Sequence, residues 1–108
     1  QILPVIVREV ADKFGFKYGT VSIRSTYSRF GSCTANGNLN FSLALAALDC
    51  DFIYSVVCHE LCHTVHHNHS AKFHALLNSV CPQHDSLHQE HREEYSALLR
   101  SIFFNPAF

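Results

Sequence analysis

An α+β fold, a small antiparallel sheet packed on helices, is what this sequence predicts, and three observations lead there. Apolar residues recur at helical spacing in four separate stretches. Two short stretches in the first half, Thr20–Arg24 and Asn38–Phe41, alternate apolar and polar instead, as half-buried strands do. Asn36-Gly37, directly before the second of these, is a strong turn signal.

Taken in order, the first helix is expected over Ile2–Phe14, with Ile2, Val5, Ile6, Val10 and Phe14 as its inner stripe. Pro4 suits its first turn and Gly15 its end. Thr20–Arg24 is the first strand, and Tyr27–Cys33 is either a second strand or an ordered loop. In the strand after Asn36-Gly37, Leu39 and Phe41 share a face. Ser42–Leu48, rich in alanine and leucine, reads as a short helical turn. A long helix follows from Asp51 to about His67, with Asp49 or Asp51 as its cap. Ser70 caps another, in which Phe73, Leu76, Leu77 and Val80 recur and which Cys81-Pro82 closes. Asp85 can cap a last helix, with Leu87, Tyr95, Leu98, Leu99 and Ile102 facing inward.

With 108 residues the expectation is a single domain, 1–108, and a start at Gln1 rather than Met leaves room for an upstream segment. Hydrophobic residues make up 47% and charged residues 16%, which excludes a disordered chain. The net charge of −1 offers neither a nucleic-acid-binding surface nor a polybasic membrane patch. No apolar run reaches transmembrane length. The five cysteines, Cys33, Cys50, Cys58, Cys62 and Cys81, are odd in number and form no C-x-x-C pair. They are expected to be free, buried thiols of a cytoplasmic protein.

The chemistry is concentrated in Cys58-His59-Glu60-Leu61-Cys62-His63, which contains His-Glu-x-x-His within an apolar run of Phe52, Ile53, Val56, Val57 and Leu61. Histidines four apart on a helix face the same way and can share one zinc ion. The glutamate beside the first histidine is then placed as general base toward a metal-activated water. The third ligand needs an argument. His66 lies about 20° around the helix from His59 but about 10.5 Å along it, too far for tetrahedral closure. His69 is about 80° off that face while the helix continues. It can join only if the helix stops near His66 to Asn68, with Asn68 as a left-handed residue, and the chain turns back. His69 is therefore the chosen third ligand, His66 the runner-up, and Glu90, Glu93 or Glu94 a weaker option.

Four blocks carry a resemblance to a known family. They are Val21–Arg24 with Ser28-Arg29-Phe30-Gly31-Ser32-Cys33; Gly37-Asn38-Leu39-Asn40-Phe41-Ser42; His59–His63; and Asn68-His69-Ser70-Ala71-Lys72-Phe73. Together they resemble the YgjP-like metallopeptidases, which are related to the WLM and SprT-like zinc proteases. Phe30 stands where that family usually has tryptophan, as does His74, and the tail after Pro82 matches poorly.

The resemblance implies a gluzincin-like proteolytic core, a zinc peptidase holding one zinc per chain through His59, His63 and His69, with Glu60 as catalytic base and polypeptide as substrate. It also implies a substrate-binding edge strand, for which Gly37, Asn38, Leu39 and Asn40 are the candidates; a core strand is the alternative reading of that segment. Arg24 and Arg29 can orient a substrate carbonyl or hold the Gly31 loop. Tyr95, His88, His91 and Arg92 are candidate oxyanion donors. The rival functions are a zinc-binding module without turnover, against which the intact Glu60 argues, and a DNA-associated protease of SprT-like type, against which the charge argues.

Overall fold

Helix α1 (Ile2–Phe14) opens the computed structural model, which describes residues 2–25 and 29–89. Its buried face is Leu3, Val7, Val10 and Ala11. The expected stripe mixed two faces: Val5 lies about 160° around the helix from Leu3, and Ile2, Val5 and Phe14 are exposed. Gly15, at φ 75°, closes the helix in the left-handed region that favours glycine.

Three strands follow, β1 (Val21–Arg24), β2 (Gly31–Cys33) and β3 (Leu39–Ser42). They lie in the order β1-β3-β2. β2 and β3 are antiparallel, because a tight turn joins them: the Gly37 N–H donates to Thr34 O at 2.9 Å, and Gly37 adopts φ 81°. β1 runs parallel to β3, pairing Val21 with Leu39 through Arg24 with Ser42. The sheet is therefore mixed rather than antiparallel throughout, and β3 is its centre.

Leu39 and Phe41 turn one face of β3 into the core, where both are fully buried. Ser42 then caps a short 3-10 helix, Leu43–Ala47, by accepting from the Ala44 N–H. Helix α2 (Cys50–His63) has Asp49 at its N-cap position and runs beneath the sheet. Its Phe52, Ile53, Val56, Val57 and Leu61 are at most 1% exposed. Each such side chain contributes about 1.5–3 kcal/mol by leaving water. Helix α3 (Ala71–Val80) packs Phe73, Leu77 and Val80 against α2, and Ser70 caps it by accepting from the Phe73 N–H. After a turn at Cys81-Pro82, residues 84–89 are helical again. Among the described residues no helix is long and apolar enough to cross a membrane.

Candidate metal centre

α2 sets the first two histidines. Its regular turn brings the rings of His59 and His63 to 4.9 Å between centroids. The helix ends at His63, earlier than the sequence suggested. Thr64 terminates it: its N–H and hydroxyl both donate to Leu61 O, and the Val65 and His66 N–H groups both donate to Cys62 O. No left-handed residue is used, since among the described residues only Gly15 and Gly37 have positive φ; the role expected of Asn68 is not needed. The chain then doubles back, and His69 arrives just before the Ser70 cap of α3.

The three Nε2 atoms converge. His69 Nε2 lies 3.1 Å from His63 Nε2 and 3.3 Å from His59 Nε2. Phe73 forms the floor, fully buried, with its ring 4.3 Å from that of His63 and 5.1 Å from those of His59 and His69. The opposite nitrogens are occupied: His59 Nδ1 is 3.1 Å from His84 Nε2, and His63 Nδ1 is 3.1 Å from the His66 carbonyl. With the ring proton on Nδ1 in each, the Nε2 lone pairs face one another, an arrangement that repels itself unless a cation lies between. A tetrahedral zinc ion about 2.0–2.1 Å from each nitrogen separates them by about 3.3 Å, which matches the spacing found. These three residues can hold a metal ion.

The electrostatics agree. Burial lowers the His59 pKa to about 3, and His84, His63, His69 and His88 add to the effect. Burial lowers His63 as well. Both imidazoles are held neutral, the form that ligates metal. Glu60 is only 6% exposed, and burial raises its carboxyl to about 7 against the opposing pull of Arg29. A carboxyl tuned to that range exchanges protons near neutral pH.

Glu60, the three histidines, Arg29 and β2 surround a cleft of about 330 Å³. β2 passes very close above Glu60: a Cβ on Gly31 would lie 3.2 Å from Glu60 Cγ, 3.1 Å from the Phe41 ring and 3.0 Å from Asn40 O. The absence of a side chain at Gly31 is what lets the strand reach the cleft. Phe30 packs edge-on against Phe52 at 4.8 Å.

Other expected site residues stand elsewhere. His66 contributes its carbonyl to the centre, through the bond to His63. Gly37, Asn38, Leu39 and Asn40 do not form an edge: both sides of β3 are occupied by neighbouring strands. The Asn38 side chain accepts from the Thr20 N–H, and Asn40 accepts from Arg24 Nε, so both asparagines and Arg24 tie β1 to β3. Gly37 lies in the turn and Leu39 in the core. Cys50 is exposed and Cys33 half-buried, so burial holds only for Cys58, Cys62 and Cys81; all five thiols are free. His88 lies against the rings of Phe30, Phe52 and His84. Glu90, His91, Arg92, Glu93, Glu94 and Tyr95, together with the inner stripe of the last helix beyond Leu87, lie outside the described residues. Asp85 sits inside the 84–89 helix rather than at its cap and pairs with His84.

A helix bearing two of the three converging histidines, the third at the following corner, and a sheet over the glutamate make up a metallopeptidase fold. The family model described as "YgjP-like, metallopeptidase domain" matches residues 1–94, and the chain belongs to that family. Among solved structures it is similar to the crystal structure of the metallopeptidase zymogen of Pyrococcus abyssi abylysin. The TM-score is 0.77 at 17% identity, over 85% of this chain and 93% of that one, a likeness of fold. A search of curated proteins found no match.

Proposed function

We propose that this chain is a zinc-dependent peptidase of the His-Glu-x-x-His type, with one zinc per chain held by His59, His63 and His69. The convergence of three Nε2 atoms beside a buried glutamate is the observation that carries the reading. When bound, zinc supplies Lewis acidity that makes water nucleophilic near neutral pH and polarises a carbonyl. Glu60 accepts the proton of the attacking water and returns it to the leaving amine. Its burial beside the three histidines places the carboxyl where such a proton transfer is needed. Arg29, lining the same cleft, tempers that shift and offers a cation to a substrate carbonyl. Five free thiols suit a reducing, cytoplasmic setting.

Substrate is polypeptide, docked along β2. The Ser42 N–H donates to Phe30 O and the Thr34 N–H to Asn38 O, so Ser32 and Asn40 form the hydrogen-bonded pair between them. The backbone groups of Gly31 and Cys33 therefore point away from β3, beside Glu60 and the histidines. An extended chain can add there as a further strand, which gives affinity through main-chain bonds and little sequence selectivity.

The test is hydrolysis of a fluorescently labelled, denatured polypeptide. Activity should vanish with a chelator and return with one equivalent of zinc. Cys33→Pro, which removes an outward N–H from an edge position where proline is tolerated, should weaken cleavage and spare zinc. Activity indifferent to chelation would refute the zinc mechanism, and an unaffected Cys33→Pro enzyme would refute docking at β2.

A further inference from the structure

We infer that His84 and Asp85 are positioning residues for the metal centre: together they hold the His59 imidazole in its metal-ligating tautomer and fix its orientation. The inference rests on the reading of His59, His63 and His69 as ligands. His84 Nε2 lies 3.1 Å from His59 Nδ1, and His84 Nδ1 lies 3.0 Å from Asp85 Oδ1. The His59 and His84 ring planes are inclined by 26° with centroids 5.0 Å apart, and the two facing nitrogens lie within hydrogen-bond distance.

The proton positions follow in one direction. Asp85 is an acceptor when ionised, so His84 carries its proton on Nδ1 and donates it to that carboxylate. In the neutral ring that leaves His84 Nε2 as a lone pair, which a proton on His59 Nδ1 satisfies. That leaves His59 Nε2 with its lone pair turned to His69 and His63, as ligation requires. A ligand whose far nitrogen is held by a carboxylate, directly or through a second ring, is a stronger donor and loses less rotational freedom on binding.

The relay is anchored. His84 is 7% exposed, and its backbone N–H donates to Cys81 O at 3.1 Å. Cys81 is itself buried, and its N–H donates to Leu77 O in α3. The segment after Pro82, which the family model covers as far as residue 94, thus feeds into the metal centre. The two α2 ligands differ here. His63 is oriented by a backbone carbonyl that no side-chain substitution removes, whereas His59 depends on a side chain. Asp85, with its side chain 91% exposed, works through water-screened contact and should matter less than His84.

The measurement is zinc affinity of the full chain by competition with a chromophoric chelator, for wild type, His84→Phe, His84→Gln and Asp85→Ala. His84→Phe keeps a ring without the acceptor and should weaken zinc about 10- to 100-fold. His84→Gln, whose Oε1 can accept from His59 Nδ1, should recover most of that loss. Asp85→Ala, at an exposed position that does not threaten folding, should fall between wild type and His84→Phe. In nitrogen-15 spectra of the zinc-loaded wild type, His84 should carry its proton on Nδ1. Wild-type affinity in His84→Phe, or equal losses in the Phe and Gln variants, would overturn the inference and leave His84 a packing residue. Unchanged affinity in Asp85→Ala, or a His84 proton on Nε2, would overturn the relay even if His84→Phe failed to fold. A wild type that takes up no zinc would instead overturn the ligand reading itself.

Discussion

Helix α2 carries the same i, i+4 spacing twice, one residue out of phase: His59 and His63 on one face, Cys58 and Cys62 on the next. Each pair has a third residue of its own kind nearby, His69 for the imidazoles and Cys81 for the thiols. Only the imidazoles converge on a common point suited to a metal among the described residues. The difference is one of environment. The cysteines are fully buried, and burial, with Cys81 adding, raises the Cys58 and Cys62 thiols to about 12, so they stay protonated and pack as small apolar groups. The same burial acts on His59 in the opposite chemical sense, because loss of charge gives imidazole its ligating form. Equal spacing on a helix thus does not make the two faces alike; convergence of the donor atoms and the opposite effect of desolvation on imidazole and thiol separate them.

The sharpest break of that comparison is removal of the third imidazole. His69→Ala should lose bound zinc almost completely in an equimolar competition, while His66→Ala, which keeps the carbonyl that holds His63, should retain it. Next is Glu60→Gln, which should keep one zinc and the fold yet lower hydrolysis by about 10²- to 10⁴-fold, the usual effect of losing a general base; metal loss in that variant would make Glu60 a ligand.

The same glutamate gives a pH signature in metal-free protein. Unfolded Glu60 ionises near 4.5 and folded Glu60 near 7, so between these the folded state binds more protons and stability falls as pH rises. His59 acts oppositely between about 3 and 6.5, where the folded state binds fewer protons and stability rises with pH. Subtracting the wild-type stability from that of Glu60→Gln isolates the carboxyl. The difference should grow in favour of the variant by about 3 kcal/mol from pH 4.5 to pH 7 in urea titrations. A difference independent of pH would contradict the buried carboxyl. The smallest effect belongs to the thiol face: Cys62→Ala should cost about 1 kcal/mol of stability and leave zinc content unchanged.

Much of the site was legible in the sequence because it is local. His59, Glu60 and His63 follow from one helical turn, and His69 from the need for a corner at which Ser70 begins a new helix. What was not legible is long-range. The order β1-β3-β2 places Leu39–Ser42 in the centre of the sheet and Gly31–Cys33 at its edge, and no alternation pattern distinguishes a central from an edge strand of four residues. The buried stripe of α1 differs from the expected one because its face is chosen by what α2 offers, and thirteen apolar-rich residues contain more than one helical stripe. His84 could not be singled out among nine histidines: its partner is 25 residues away, and the adjacent Asp85 was the sole local hint. Gly31 stands within a recognisable motif, but its reason, the passage of β2 over Glu60, exists only in three dimensions.

X-ray absorption at the zinc edge of the zinc-loaded protein separates the two faces of α2 most directly. One zinc per chain should appear with a shell of nitrogen and oxygen scatterers alone at about 2.0–2.1 Å. A sulfur scatterer at about 2.3 Å would place the metal on the cysteine face and contradict the account.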